Sequence, residues 1–460
     1  MDGVSRTSAN GTSLRELNRK PAWLPDRMFS FLSDSRCALL TVLSVAVVLR
    51  FGALFYFGPV TEAHGDVPSY ITPGIRLANG LGYTRLDGVP AMKRAPGFPL
   101  QVAFSQWLTG DLYLAFLLNA VWGTVAVLAV YSLGKKAFGG NAVGAVAAIV
   151  YAAFPPAIYW QRFLLSESLH TMLILLWAIV TLDALERGSF SRFVLAGLIL
   201  AAVLYTRPAS ALLLPAVPIL ALLFRSTRRR AGWLLLSSCI AISTIVPWTM
   251  RNYRISGRVL PVATGFGAAA YLGNLGDGAN GGFTAEYPGA PVNEEIIRAF
   301  QAAEKRSDWE ADAYATSLVP VLLRERLKHD FWSWFVYAKV ANLSRFFFGI
   351  PVAVSSPWWS YYQSALVVVL LLLTILSFPA VSRQVKPDGP LLFCWMLASL
   401  LVIHIATTSV RRYSEPVIPF VLIGSAAALF GYGPAWWRQL VLRVREHDTV
   451  RVPLKVPSTQ

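Results

Sequence analysis

The sequence predicts an all-α protein that crosses a membrane many times. Of its 460 residues, 55% are hydrophobic and 14% are charged, and the mean hydropathy is +0.51. A soluble protein of this length would carry about 25% charged residues, so most of the chain must face hydrocarbon. The apolar residues also come in runs close to the roughly 20 residues that a helix needs to span a bilayer core.

Ten apolar runs are predicted to form these spans. Their bounds are 37–57, 112–134, 141–158, 166–185, 192–206, 209–224, 231–249, 361–381, 390–409 and 415–432. Thr206-Arg207-Pro208 breaks the fifth run from the sixth, because proline removes a backbone donor and disfavours helix in the preceding residue. The fifth and sixth runs could therefore form either two short spans or a kinked pair. The aromatic stretch 331–350, interrupted by Lys339 and Arg345, favours an interfacial helix.

Lysine and arginine fall on every second connection between these runs, which predicts the orientation. Such clusters are Lys135-Lys136, Arg187 with Arg192, Arg225 with Arg228-Arg229-Arg230, and Arg383 with Lys386. The positive-inside rule then places both termini in the cytoplasm. We predict a cytoplasmic basic N-terminal segment 1–36, a membrane domain 37–432 with outer loops 58–111 and 250–360, and a cytoplasmic basic tail 433–460. The protein is expected to reside in the cytoplasmic (inner) membrane.

Several function classes are disfavoured. The net charge of +16 comes from short clusters rather than from a basic domain, so a nucleic-acid partner is not predicted. Three scattered cysteines exclude a complete disulfide framework and match no metal-ligand motif. No phosphate-binding G-x-x-x-x-G-K-[ST] motif is present, which argues against an ATP-driven pump. No internal repeat of the transporter type is visible either.

Asp66 follows the first apolar run, and Arg411-Arg412 precedes the last one. The predicted topology brings both to the same side of the membrane, where a carboxylate and two guanidinium groups would face a common space. Asp66 is a candidate general base, since burial or a nearby cation can tune the pKa of a carboxylate. An alternative is that Asp66 caps the helix that begins near Pro68. The two roles are compatible.

A divalent metal is the only cofactor that the sequence suggests. Glu62, His64 and Asp66 lie within five residues and could ligate one, although such triplets are usually solvated loop residues. Glu167 and His170 are three residues apart at the start of the fourth run and share a helix face. An ionisable pair that enters a span is a functional hypothesis. Glu167 is a candidate catalytic residue, and Glu167 and His170 are further candidate metal ligands. The alternative is a solvated helix N-terminus in which Glu167 complements the helix dipole.

Arginine residues on the predicted outer side run against the charge bias of the chain. They are Arg94, Arg162, Arg207, Arg251, Arg345, Arg411 and Arg412. A guanidinium group binds phosphate through paired hydrogen bonds. Each one alone could simply extend to the membrane interface, but several together indicate a phosphate-binding site.

Short motifs in a fixed order carry a resemblance to a known family. They are Asp66 with Tyr70, Gly80-Leu81-Gly82-Tyr83, Arg94-Ala95-Pro96-Gly97-Phe98-Pro99, Leu165-Ser166-Glu167, Thr206-Arg207-Pro208, Pro247-Trp248-Thr249-Met250-Arg251-Asn252-Tyr253 and Arg412-Tyr413-Ser414-Glu415-Pro416. Together they resemble the bacterial integral-membrane glycosyltransferases related to protein O-mannosyltransferases and to lipid A aminoarabinose transferases. The resemblance extends from about residue 37 to residue 432.

The resemblance implies a GT-C fold, a helix bundle with outer loops, and inverting transfer of a sugar from a polyprenyl phosphate to a lipid, glycan or protein acceptor. Asp66 then corresponds to the acidic residue of the first loop, and Glu167 to a polar position at the top of the fourth span. Arg251 and Arg412 would hold the lipid phosphate, and the remaining expected substrate-binding residues are Tyr70, Arg94, Arg207, Arg411 and Tyr413. The competing interpretation is a transporter or flippase for an anionic or polyprenyl-linked substrate, which would not need Asp66 as a base.

Overall fold

The described part of the chain is helical, as the composition predicts. The computed structural model describes residues 24–61, 65–138, 140–223, 227–275, 294–329, 331–348, 369–370, 372, 398–407 and 411–432. Within these ranges the backbone forms helices and turns, together with one isolated antiparallel bridge between Thr84 and Pro90. The all-α prediction is therefore confirmed.

The helices follow the apolar runs of the sequence. In the first half they are α1 (Asp26–Ser33), α2 (Ser35–Phe57), α3 (Val67–Ala78), α4 (Gly97–Thr109), α5 (Tyr113–Phe138), α6 (Asn141–Ala152), α7 (Pro155–Trp160), α8 (Glu167–Arg187) and α9 (Phe190–Thr206). They continue with a 3₁₀ turn (Pro208–Leu212), α10 (Leu213–Leu223), a second 3₁₀ turn (Arg228–Arg230), α11 (Ala231–Ser256), α12 (Phe266–Leu275), α13 (Glu294–Arg306) and α14 (Asp308–His329). The last described helices are α15 (Phe331–Trp334), a π-helical segment (Phe335–Val340), α16 (Ala341–Phe348), residues 398–406, a 3₁₀ turn (Arg411–Ser414), α17 (Ile418–Ala427) and a π-helical turn (Ala428–Tyr432).

Four of these helical segments are long and apolar enough to cross a bilayer: α2, α5, α8 and Arg228–Ser256. Shorter apolar helices occupy four more of the predicted spans. The predicted span 141–158 was too long, because the helix is interrupted between α6 and α7. The predicted spans 361–381 and 390–409 lie largely outside the described residues. The number ten therefore stays a prediction.

The main hydrophobic core lies between the apolar helices. Helix α5 packs against α2, α6 and α8, while α9 packs against α8 and α11, and α17 packs against α6. A second cluster, which includes Leu54, Tyr70, Phe98 and Leu164, joins the end of α2 to α3, α4 and the start of α8. This second cluster lies directly beside the polar residues at one end of the bundle, and so it gives them a rigid support.

Helices α12, α13 and α14 form a small unit with its own core of Tyr271, Phe300, Ala303, Ala311 and Ala315. The predicted interfacial helix at 331–350 is helical over Phe331–Phe348 but contains a π-helical segment. Phe346 is buried in the main core, whereas Trp332 is exposed. The position of this helical segment at a membrane interface stays a prediction.

Gly97 lets the first turn of α4 touch the end of α9. A Cβ atom at this position would lie 2.7 Å from the carbonyl oxygen of Tyr205 and 3.1 Å from Oγ1 of Thr206. We expect Gly97→Ala to destabilise the fold by about 1–3 kcal/mol, because the backbone of α9 has to move away. Thermal unfolding in detergent measures this change. Gly52→Ala is the matched control, because a Cβ there meets nothing within 4 Å. Equal midpoints for the two variants would contradict the close contact.

Candidate functional site

Asp66 lies at the centre of the site, between α2 and α3. It follows Gly65, whose φ of 60° is in the left-handed region that favours glycine. The Asp66 carboxylate accepts hydrogen bonds from Arg94 through Oδ1 and from Arg412 through Oδ2. The capping hypothesis is wrong for this carboxylate, because it makes no bond to the first turn of α3. Instead, the backbone carbonyl of Asp66 binds the first turn of α3, since it accepts hydrogen bonds from the amide and the hydroxyl of Ser69 at 3.1 and 2.6 Å.

Arg94 is held by three neighbours besides Asp66. Its Nε donates to Oγ of Ser69 at 2.8 Å, and its guanidinium carbon lies 4.8 Å from the centre of the Tyr70 ring. Its backbone carbonyl accepts from the hydroxyl of Tyr83 at 2.8 Å. A guanidinium group over an aromatic face gains a cation–π attraction. The orientation of Arg94 is therefore fixed by hydrogen bonds and by packing.

A second ion pair, between Glu167 and Arg207, lies beside the first. Glu167 is the first residue of α8 and is 2% exposed. Arg207 is extended (φ −146°, ψ 108°), because it precedes Pro208 and ends α9. This confirms the break predicted at Thr206-Arg207-Pro208. The Nη2 of Arg207 donates to Oε1 of Glu167, and its Nε donates to Oγ of Ser166 at 2.9 Å.

Arg412 connects the two ion pairs. While its Nη2 binds Asp66, its Nε lies 3.7 Å from Oε1 of Glu167. Ser166 makes a second connection, because its hydroxyl is 3.3 Å from the hydroxyl of Tyr70. The site therefore combines two carboxylates with three guanidinium groups, and its residues come from five separate parts of the chain.

Tyr413 forms an aromatic wall behind these arginines. The guanidinium carbons of Arg207 and Arg412 lie 5.3 and 5.5 Å from the centre of its ring. On the other side, Tyr413 stacks on His404 with the ring centres 5.2 Å apart. This contact ties the turn before α17 to the helical segment 398–406.

The charge balance determines the protonation state of Asp66. Burial raises the pKa of this carboxyl, but the positive charges of Arg94 and Arg412 outweigh burial and lower the pKa from 3.8 to about 2. Asp66 is therefore ionised at neutral pH. It is also a weak proton acceptor for as long as both arginines remain bound to it.

The metal hypothesis finds no support among the described residues. His170 is buried on α8, and its Nε2 lies 3.2 Å from Oγ of Ser210. No group of three His, Cys, Asp or Glu side chains that could hold a metal ion occurs in the part of the chain that the structure describes. Glu62 and His64, the other candidate ligands, lie outside that part. A metal that involves these two residues stays a prediction.

The structure places Arg251 in a separate cluster. Its Nη2 donates to the carbonyl of Tyr83 at 3.1 Å, its Nη1 donates to Oδ1 of Asn252 at 2.9 Å, and its guanidinium group lies over the Trp248 ring. Arg251 thus holds the loop between α3 and α4 against α11, and its role in phosphate binding stays a prediction.

Arg162 donates to the carbonyls of Phe57 and Gly58 and so completes the C-terminus of α2. The side chains of Arg345 and Arg411 lie outside the described part of the chain. Three of the predicted outer arginines therefore converge on one site: Arg94, Arg207 and Arg412.

Sequence reasoning missed the serine residues of the site. Ser69 and Ser166 accept the Nε hydrogen bonds of Arg94 and Arg207. Only Ser166 carried a signal, because it directly precedes the charged residue at the start of α8. Ser69 carried none, since its role depends on the approach of a residue 25 positions away.

Comparisons with known proteins give one family match and two structural matches. Residues 93–250, which contain Arg94, Glu167 and Arg207, match the family described as dolichyl-phosphate-mannose-protein mannosyltransferase. The archaeal oligosaccharyltransferase AglB from Archaeoglobus fulgidus, in complex with an inhibitory peptide and a dolichol-phosphate, superimposes with a TM-score of 0.50 at 13% identity. This match covers 92% of the chain.

The chain has the GT-C fold. The fold that the resemblance implies is confirmed. This GT-C chain spans about half the length of the AglB structure, since the match covers 52% of that protein. A crystal structure of the Archaeoglobus fulgidus oligosaccharyltransferase tethered to an acceptor peptide gives a TM-score of 0.34 at 13% identity, over 94% of this chain and 61% of that one. The comparison with curated proteins gave no match.

The pKa of Asp66 predicts how acid affects this GT-C protein. The folded-state pKa is depressed, so the ion pairs of Asp66 contribute their full stability above the ordinary value of 3.8 and lose it as the pH falls to about 2. We expect the unfolding midpoints of the wild type and Asp66→Asn to differ by a constant amount at higher pH, and to converge below pH 3.8. Thermal unfolding in detergent across this range measures the convergence.

Asp87→Asn is the matched control for this experiment. It removes the ion pair of Asp87 with Arg85, in which the Asp87 side chain is 45% exposed, and surface pairs of this kind contribute little. A difference between the wild type and Asp66→Asn that stays constant down to the lowest pH would show that Asp66 is not bound as described.

Proposed function

We propose that the protein transfers a sugar from a polyprenyl-phosphate donor to an acceptor, with inversion of the anomeric carbon, at the outer face of the cytoplasmic membrane. The observation that carries this proposal is the convergence of Arg94, Arg207 and Arg412 on the two carboxylates Asp66 and Glu167. The acceptor is a lipid, a glycan or a protein.

The three arginines are suited to bind the phosphate of the donor. Each presents a planar set of N–H donors that match phosphate oxygens. In the structure these donors are bound to carboxylates, which are anions of similar geometry. A donor phosphate therefore competes with Asp66 and Glu167 for the same N–H groups.

This competition would raise the pKa of Asp66 and so suit its carboxylate to act as a base. When phosphate neutralises Arg94 and Arg412, the charges that lower the pKa of Asp66 are offset, and the pKa rises towards its ordinary value. Its carboxylate then accepts the proton from the acceptor hydroxyl or amine. A base works best when its pKa lies closer to the working pH, so donor binding would prepare the base.

The reaction then needs one base and charge stabilisation. The acceptor atom forms a bond to the anomeric carbon as its proton passes to Asp66. The bond between that carbon and the phosphate oxygen breaks, and the polyprenyl phosphate leaves with the electron pair. The arginines stabilise the negative charge that remains on the phosphate. Attack from the face opposite the leaving group inverts the anomeric carbon.

Glu167 provides a further acceptor beside the phosphate site. Its Oε1 binds Arg207, whereas its Oε2 is buried without a hydrogen-bond partner among the described residues. A buried carboxylate oxygen of this kind costs free energy until it accepts a hydrogen bond. We propose that Oε2 of Glu167 accepts a hydrogen bond from a hydroxyl group of the donor sugar. Tyr70 and Tyr413 would contact the same substrate.

The apolar helices and the structural relative support a lipid-linked donor. AglB was solved with a dolichol-phosphate and a peptide, which correspond in kind to a lipid phosphate and an acceptor. The alternating cationic connections favour cytoplasmic termini and an outer position for the site. Anchoring the donor in the bilayer would also orient its sugar towards Asp66.

A transfer assay with Asp66→Asn tests the proposed function. Purified protein is incubated with a panel of radiolabelled polyprenyl-phosphate sugars and candidate acceptors, and transferred label is counted. We expect transfer by the wild type and a loss of at least about a hundredfold in Asp66→Asn, because asparagine accepts no proton. Donor binding and folding are expected to persist.

Arg254→Ala is the control, because Arg254 is an exposed arginine of α11 outside the site. It should transfer at the wild-type rate. Full activity of Asp66→Asn would exclude the base role, and donor movement across a vesicle membrane without transfer would favour a transporter.

A further inference from the structure

Two acidic residues in the first turns of α14 hold two different outer segments. Asp308 accepts hydrogen bonds through Oδ2 from the backbone amides of Met92 and Lys93, at 2.8 and 2.9 Å. Asp312 accepts through Oδ1 from the amides of Gly265 and Gly267, at 2.9 and 2.8 Å. Residues four apart in a helix lie on one face. The carboxylates on this face of α14 therefore bind backbone amides of other segments rather than solvent.

The bond from Asp308 reaches the segment that presents Arg94. Met92 is 1% exposed, and its amide is bound to Asp308 while its carbonyl accepts from the amide of Thr264 at 2.8 Å. Two residues later, the carbonyl of Arg94 accepts from Tyr83. The backbone on both sides of Lys93 is thus fixed, and the Arg94 side chain leaves it towards Asp66.

Every described partner of the Asp308 carboxylate is a donor. Besides the two amides, Nη1 of Arg85 lies 3.4 Å from Oδ1, and the Asp308 side chain is 5% exposed. The nearby pair of Lys93 with Glu304 is 2.8 Å long but 49% and 34% exposed, so it contributes little. Asp308 is accordingly the principal tie between α14 and the Arg94 segment.

We propose that Asp308 is a positioning residue, which fixes the backbone at Met92 and Lys93 so that Arg94 is presented to Asp66. On the proposed function, Asp308 thereby sets the affinity and orientation of the donor phosphate, although it does not touch it. Through Asp308, the first turn of α14 then supports the donor site from outside it.

Hydrogen exchange tests the contact independently of any activity. Asp308→Asn keeps the size of the side chain but replaces the charged carboxylate by a neutral amide, whose oxygen accepts weaker hydrogen bonds from the backbone amides of Met92 and Lys93. We expect faster amide exchange at Met92 and Lys93 in this variant, and no change at Gly265 and Gly267. Asp312→Asn is the matched control and should show the reverse pattern. Unchanged exchange at Met92 and Lys93 would overturn the proposal. If Asp308→Asn does not fold, Asp308→Glu, which displaces the carboxylate by one methylene group, replaces it.

A double-mutant cycle with Arg94 tests the positioning role. Asp308→Asn should lower kcat/KM for the donor by up to about a hundredfold, because small misplacements of a binding group have effects of this size. In an Arg94→Ala background the same change should have almost no further effect, since residues that act through one another are not additive. Asp312→Asn should stay near the wild type.

The outcomes separate this inference from the proposed function. Additive losses from Asp308→Asn and Arg94→Ala, or equal losses from Asp308→Asn and Asp312→Asn, would overturn positioning while the transfer activity stands. A wild-type protein that transfers no sugar and binds no polyprenyl phosphate would contradict the proposed function. The exchange experiment would still decide whether Asp308 fixes the Arg94 segment.

Discussion

The carboxylate of Asp66 holds two guanidinium groups, and the rest of the site depends on this shared anion. Its partners Arg94 and Arg412 follow it by 28 and 346 positions in the chain. The guanidinium groups of Arg94 and Arg412 bind the two oxygens of one carboxylate. Two positive charges so close in space repel each other unless an anion lies between them. A carboxylate in a partly buried position likewise needs cationic partners. The arrangement therefore requires an anion, and a phosphate group can supply it in place of Asp66.

The helices around this cluster hold its side chains in place. At Gly97, the helix that follows Arg94 touches the end of the helix that precedes Arg207. Ser166 at the start of α8 joins Tyr70 to Arg207. The Asp308 carboxylate fixes the Arg94 segment through hydrogen bonds from two backbone amides. The apolar helices and the unit of α12, α13 and α14 thus hold the same few side chains.

Much of this arrangement could be predicted from the sequence, because its causes are local. Hydrophobic runs predict α2, α5 and α8 to within a few residues, and Pro208 predicts the end of α9. The alternation of cationic connections predicts that Asp66 and Arg412 face a common space. What could not be predicted are the partners. Whether Asp66 caps α3 or binds arginine, and whether Arg251 joins the site or holds a loop, depends on the approach of distant segments. The same holds for Asp308, whose bonds reach residues more than 200 positions away.

A cryo-electron microscopy structure of the protein in lipid nanodiscs with bound polyprenyl phosphate would test the proposed exchange of carboxylate for phosphate most directly. We expect phosphate oxygens at hydrogen-bond distance, about 2.7–3.2 Å, from the guanidinium groups of Arg94 and Arg412. At least one of the two ion pairs of Asp66 should then be open. A phosphate bound elsewhere, with both ion pairs of Asp66 intact, would show that these arginines do not exchange a carboxylate for the donor phosphate.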